Sequence, residues 1–170
     1  MSTHQVNMFG QSMVPDSSGL SWFEPYDVFA TNDVWKGLVL RLANPASTQH
    51  GGVYGFFNVP QNYVGNAAAV IKWTTTATTG NACFRYQYRS VAGNNANSMD
   101  QAGTQQNTTG TFAAPGAAHR LMQSTITLTA ANFAAGNMVE YLFERDDNSA
   151  ADTIAADVVV FEVDFQYTDV

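Results

Sequence analysis

The run Cys83-Phe84-Arg85-Tyr86-Gln87-Tyr88-Arg89-Ser90-Val91 places Phe84, Tyr86 and Tyr88 on one side of an extended chain and Arg85, Gln87 and Arg89 on the other. Successive side chains of an extended backbone point to opposite faces of a sheet, so this alternation predicts a strand with one buried face. The same period runs outward in both directions. Upstream, Gly80-Asn81 reads as a turn, and before it Ala68 to Thr76 sets Ile71, Trp73 and Thr75 against Val70, Lys72 and Thr74. Earlier still come Val34 to Leu42 and Val53 to Val59, the second stopped by Pro60, which has no N–H for a central ladder. Downstream, Ala92 to Gly116 is rich in Asn, Gln, Thr and Gly and reads as a long loop with a short strand near Thr108 to Phe112. His119 to Thr129 then alternates Met122, Ser124, Ile126 and Leu128 with Thr125, Thr127 and Thr129. Ala130 to Gly136 predicts one helical turn closed by Gly136, followed by strands at Met138 to Arg145 and Asp157 to Tyr167. In the last strand Val159, Phe161, Val163, Phe165 and Tyr167 are expected on one face, and Glu162, Asp164 and Gln166 on the other. Consecutive short strands with turn residues between them, and no long helical period, define an all-β chain: an antiparallel β-sandwich or jelly roll.

At 170 residues the chain suits one domain. We expect the sandwich over residues 31–170 and an extended N-terminal arm over residues 1–30. The arm carries Met8, Phe9, Met13, Leu20, Trp22, Phe23 and Tyr26, interrupted by Gly10, Pro15, Gly19 and Pro25. It is too apolar for a free tail and too interrupted for a helix, so it covers either its own sandwich or a neighbouring subunit.

Charged residues make up 12% of the sequence, about half the usual share for a soluble domain. The net charge of −7 is concentrated at the C-terminal end, where Glu140 to Val170 holds nine acids against Arg145 alone. There is no Lys/Arg cluster to neutralise a phosphate backbone, so a nucleic-acid partner is not expected. No apolar stretch approaches the roughly 18 residues of a spanning helix, so no membrane partner is expected. Met1 to Gln5 lacks the basic start and apolar core of a signal peptide. The single Cys83 has no partner for an internal disulfide.

Residues for catalysis are few. His4, His50 and His119 fall in no nucleophile elbow, HExxH spacing or Cys/His cluster, and Gly51-Gly52 lacks the strand-then-helix setting of a phosphate loop. Glu140, Glu144, Glu162 and Asp164 alternate on strands and predict a solvated or subunit-facing rim, not a cleft-flanking acid pair. The chain is therefore not expected to be an enzyme, and no cofactor is expected. The loop Arg145-Asp146-Asp147-Asn148-Ser149-Ala150-Ala151-Asp152-Thr153 offers Asp146, Asp147 and Asp152 as candidate calcium ligands. It lacks the EF-hand glycine and terminal glutamate, and a β-turn in which Asp146, Asp147 and Asn148 cap their own backbone is the plainer account. Trp22, Trp35, Trp73, Tyr86 and Tyr88 would stack on sugar rings if exposed, but a sandwich core claims most aromatics of this kind.

Three segments resemble the small jelly-roll virion proteins of tailed bacteriophages. Gly55-Phe56-Phe57-Asn58-Val59-Pro60-Gln61-Asn62-Tyr63-Val64 is similar to the F-x-x-P-x-x-Y/W segment that closes an early strand in that family. Val70-Ile71-Lys72-Trp73-Thr74, Gly80-Asn81 and the aromatic strand Phe84 to Tyr88 form the second. Tyr141-Leu142-Phe143-Glu144-Arg145-Asp146-Asp147, then Asp152-Thr153 and Phe165-Gln166-Tyr167, form the third. The resemblance implies a jelly roll, a homotrimer, a place on the particle and no catalytic residues. The absence of a repetitive shaft and the short arm lean toward a capsid decoration (cement) protein. Such a trimer would bind the major capsid protein on the outer face of the head and stabilise the shell. Phe9, Met13, Trp22 and Phe23 are then the expected contacts to the shell or a neighbouring protomer. The expected location is the virion head surface, after synthesis in the host cytoplasm. The alternative is a tail- or fibre-associated receptor-binding module whose loop Gly93 to Gly110 contacts host glycans; a third reading, ranked last, is a cytoplasmic or fusion-partner carbohydrate-binding domain or a small jelly-roll enzyme.

Overall fold

The computed structural model describes residues 1–9, 12–26, 37–44, 50–93 and 106–169. In chain order its strands are β1 (Thr3–Asn7), β2 (Val14–Pro15), β3 (Ser21–Pro25), β4 (Leu38–Leu42), β5 (Gly51–Asn58) and β6 (Gly65–Thr75), then β7 (Asn81–Val91), β8 (Gln106–Ala113), β9 (Met122–Thr127), β10 (Met138–Arg145) and β11 (Val158–Thr168). They form two antiparallel sheets, one ordered β3-β4-β11-β6-β9 with β1 also on β11, the other ordered β2-β5-β10-β7-β8. The predicted β-sandwich is the observed architecture. The helical turn expected after β9 is a 3₁₀ turn at Ala130–Asn132, and Gly136 beyond it has φ +79°, which a glycine adopts without strain. His119 does not begin a strand; it sits in the turn before β9 with φ +63°.

The core lies between the sheets. Phe84, Tyr86 and Tyr88 of β7 and Val139, Tyr141 and Phe143 of β10 face Ile71 and Trp73 of β6 and Val163, Phe165 and Tyr167 of β11. Trp73 is fully buried and its indole N–H donates to Ser124 Oγ at 2.9 Å, so the polar edge of the largest core residue is satisfied. Its ring meets Phe84 edge-on at 5.4 Å.

Two expectations are corrected. The first is the single apolar face of the last strand. The pairing of β11 with β6 shifts between Val160 and Glu162, which is the signature of a bulge. Val163, Phe165 and Tyr167 face the core as expected, but before the bulge the inward residues are Val158 and Val160. Val159 and Phe161 are on the outer side, where Phe161 meets the Tyr26 ring edge-on at 4.9 Å.

The second concerns the arm. Residues 1–30 are extended in the described part but are not held apart from the sheets. Strand β1 pairs with β11 over Thr3↔Thr168 to Asn7↔Asp164, β2 pairs with β5, and β3 pairs with β4. Met8 and Met13 are buried in the chain's own core. Between the two readings of this segment, covering its own sandwich is the one observed. Short strands whose ladder runs to sequence-distant partners carry no local period, which is why the segment reads as irregular.

The seam between β1 and β11 carries a buried acid. Asp164 is 3% exposed and accepts a hydrogen bond from Asn7 Nδ2 at 3.1 Å. Burial, reinforced by the neighbouring Glu162 charge and opposed by Lys72 and Asn7, raises its pKa from 3.8 to about 6. The folded state thus holds this proton more tightly than the unfolded chain. The stability Asp164 contributes is complete below pH 3.8 and is lost as pH rises through about 6. Asp164→Asn is expected to be more stable than the parent at pH 7 by about 1–2 kcal/mol and indistinguishable from it near pH 4. Urea unfolding of both proteins at the two pH values measures this; an equal difference at both would remove Asp164 as the source.

Candidate functional site

The outer face of the five-stranded sheet holds a hollow of about 420 Å³, lined by Tyr54, Gln87, Tyr88, Arg89, Glu140, Tyr141 and Leu142. Strand register builds it in rows that cross the sheet. Phe56, Glu140 and Arg89 stand side by side on β5, β10 and β7. The next row is Tyr54, Leu142, Gln87 and, on β8, Asn107. The third is Gly52, Glu144, Arg85 and Thr109. An uncharged row is therefore flanked by two rows that carry matched charges.

The aromatic pair on β5 is the unusual element. The strand reads Gly51-Gly52-Val53-Tyr54-Gly55-Phe56-Phe57-Asn58, and its inward positions Val53 and Phe57 reach the core. Its outward positions are also large and apolar: Tyr54 is 50% exposed and Phe56 48%. Single exposed apolar residues are ordinary on any protein surface, whereas two aromatics adjacent on one strand face, beside a hollow, mark a contact surface. The strand is held from its other side as well, because Ser12 Oγ donates to Phe56 O at 2.8 Å and accepts from Phe56 N at 3.1 Å.

The polar groups of the face are organised in advance. Arg89 pairs with Glu140, and Arg85 pairs with Glu144. Gln87 Nε2 donates to Glu144 Oε1 at 2.6 Å. Salt bridges between Glu144 and Arg85 raise the arginine's already high pKa further, the hydrogen bond being the largest cause. The Arg85 guanidinium therefore stays charged at every accessible pH.

The expected site residues fall elsewhere. Met13 is in the core; Phe9 and Phe23 pack on it and meet edge-on at 5.7 Å. Of the four residues expected to contact a shell or a neighbouring protomer, Trp22 is the most exposed, at 36%, its Nε1 donating to Glu24 Oε2 at 2.8 Å. The calcium candidates do not converge on a common centre. Asp152 is held in two hydrogen bonds by Arg145, Nε to Oδ2 at 2.9 Å and Nη2 to Oδ1 at 2.7 Å. Asp146 lies 3.6 Å from His50 Nδ1 and 4.0 Å from Arg85, and Asp147 lies 3.2 Å from His50 Nδ1. Burial raises the Asp147 pKa, with His50 and Arg145 opposing. Among the described residues no cluster of three or more His, Cys, Asp or Glu is placed to hold a metal ion.

Of the aromatics weighed as sugar platforms, Trp73, Tyr86 and Tyr88 are core, as expected for most of them, and Trp35 lies outside the described residues. Tyr54 and Phe56 were legible as a strand whose two faces are both apolar, a pattern that an antiparallel sheet with one solvated face does not call for. A second hollow of about 280 Å³ lies on the six-stranded sheet, lined by Tyr26, Arg41, Thr74, Thr75, Thr76, His119, Asp157 and Val159. It is polar, and Arg41 within it is paired with Glu24 and Asp157.

No family model matches the chain, and no curated protein does. Solved structures match it along nearly its whole length. It covers 95% of this chain and 97% of a family 35 carbohydrate binding module from Clostridium thermocellum, at 15% identity and a TM-score of 0.52. Against CsCBM6-3 from Clostridium stercorarium, solved in complex with cellobiose, 97% of this chain and 94% of that one align at 12% identity and a TM-score of 0.51. The CBM22-1-GH10 modules of the Clostridium thermocellum xylanase 10B, complexed with xylohexaose, align over 95% of this chain and 28% of theirs, at 12% identity and a TM-score of 0.51. At these identities the likeness is one of fold: the chain shares the jelly-roll β-sandwich of carbohydrate-binding modules.

Proposed function

We propose that the chain is a glycan-binding jelly-roll module whose outer five-stranded face holds a sugar chain. The observation that carries this is the exposed pair Tyr54 and Phe56 beside a hollow edged by Gln87, Arg89 and Glu140. Aromatic faces supply apolar area to the C–H side of a pyranose, while amide, guanidinium and carboxylate groups meet its hydroxyls. Structures of the same fold, solved with cellobiose or xylohexaose, support the reading without assigning a ligand to this chain. The reading involves no catalytic step, and the two carboxylates of the face, Glu140 and Glu144, are each paired with an arginine.

Capsid decoration also stays a proposal: Met13 is buried in the chain's own core, Phe9 and Phe23 are partly buried against it, and Trp22 is exposed. A place on a virion, synthesis in the host cytoplasm and self-association into a trimer are proposals that rest on the sequence resemblance. The tail- or fibre-associated form is the one in which a glycan-binding face has a use. In that form the contact surface is the sheet, with Gln106 to Gly110 belonging to β8, while residues 94–105 of the expected contact loop lie outside the described residues.

A glycan array followed by titration calorimetry with the best ligand tests the function. Tyr54→Ala is expected to weaken binding roughly tenfold, the equivalent of about 1.4 kcal/mol of stacking and burial. Because Tyr54 is half exposed, its removal should leave the melting midpoint near the parent value. Failure of the parent chain to bind any glycan on the array would overturn the proposal.

A further inference from the structure

The charge arrangement of the same face goes beyond the presence of a sugar site and sets which sugars it takes. Resting on the glycan-binding reading above, we propose that the hollow selects neutral glycans and rejects those bearing carboxylate or sulfate groups, with Glu140 as the specificity-determining residue.

An anionic sugar needs a cation that is available to it. Among the described residues the cations of this face are Arg85 and Arg89, and each has a carboxylate partner on the neighbouring strand β10. Arg85 also lies 4.0 Å from Asp146. At the hollow itself the acid is the partner turned to solvent: the Glu140 side chain is 37% exposed and that of Arg89 is 12% exposed. An arriving carboxylate would meet Glu140 first and would have to displace it from Arg89. The displacement is unfavourable because Glu140 is held on the same rigid sheet, at a fixed register opposite Arg89, whereas the ligand must be ordered from solution. A neutral sugar meets the reverse situation. Its hydroxyls donate to the exposed Glu140 carboxylate, a charge-assisted bond that leaves the ion pair in place. The rest of the rows beside Glu140, Tyr54, Leu142 and Gln87, carry no charge, so nothing else on them favours an anion. Repulsion of the wrong ligand, together with acceptance of the right one, is how charge pairs generate specificity more than affinity.

The experiment compares the full chain with its Glu140→Gln variant on an array of neutral, uronic-acid-containing, sulfated and sialylated oligosaccharides, read at low and physiological salt. The parent is expected to bind neutral glycans alone. Glu140→Gln removes the carboxylate that faces solvent beside Arg89 and should raise the ratio of anionic to neutral binding about fivefold, an effect the size of a partly exposed ion pair. That gain should shrink at physiological salt, since only a charge-borne contact is screened. Parent binding to anionic glycans as strong as to neutral ones, or a ratio unmoved by Glu140→Gln, would overturn neutral selection while leaving glycan binding standing. No glycan bound by the parent would overturn both. A thermal melt of the variant confirms that it is folded, which is expected from the exposure of the Glu140 side chain.

Discussion

Arg145→Ala is expected to destabilise the protein by about 3–5 kcal/mol, the range for breaking a buried ion pair from one side. Arg145 is 1% exposed at the end of β10, and its guanidinium gathers the chain between β10 and β11. Besides its two bonds to Asp152, Nη1 donates to Ala156 O at 2.7 Å and Nη2 to Ile154 O at 2.6 Å. Asp152 also accepts from the Cys83 amide at 2.9 Å, so the ion pair ties this connection to β7. Alanine would leave the Asp152 carboxylate, itself 3% exposed, buried without its cation and two carbonyls without a donor. Urea unfolding at pH 7 measures the loss. The double variant Arg145→Met with Asp152→Asn should recover much of it, because a buried pair contributes less than either half left alone subtracts. A single-variant loss below about 1 kcal/mol would mean the loop holds its shape without the arginine.

Gly55→Val is expected to cost about 3 kcal/mol or prevent folding, at the upper end of overpacking effects. Gly55 faces Tyr141 across the β5–β10 ladder, and a Cβ added there would lie 2.5 Å from Tyr141 Cζ and 2.9 Å from Cε1. The ring has nowhere to go. It stacks on Tyr86 at 5.5 Å and 13°, touches Phe57 on another side, and its hydroxyl donates to Met8 O at 3.3 Å. Melting of Gly55→Ala, Gly55→Val and each combined with Tyr141→Leu distinguishes steric contact from loss of backbone freedom. If steric contact is the cause, the double variants will lose less than the sum of their singles. Additive losses would count against it.

Both residues illustrate a limit of reading along the chain. Arg145 ends a strand that was legible from Met138 onward, yet its alternation alone could not say that the last position turns a charge inward. The partners that make this tolerable, Asp152, Ile154 O and Ala156 O, come from a loop that composition presents as an acidic turn with calcium-like ligands. Gly55 likewise reads as a gap in a strand until the ladder sets Tyr141 beside it. The binding face has the same history. Glu140 and Arg89 were visible as polar strand residues and Tyr54 lay within an expected strand, but no spacing in the sequence says that strands 81–91, 138–145 and 51–58 lie side by side.

Period-two alternation with turn residues between runs was enough to specify an all-β sandwich and most of its strands, because burial of one face is imposed on each strand locally. Composition was enough to exclude a basic binding surface. Which strands pair was settled only by long-range packing, where register depends on how side chains from distant segments fill one core. That packing put the N-terminal residues into both sheets, where they complete the chain's own sandwich. It also placed a bulge in β11 that turns Phe161 outward, and it brought Tyr54, Glu140 and Arg89 onto one face. Neighbours across a sheet are set by hydrogen-bonded register between segments far apart in sequence, and a single chain read in order holds no direct record of that register.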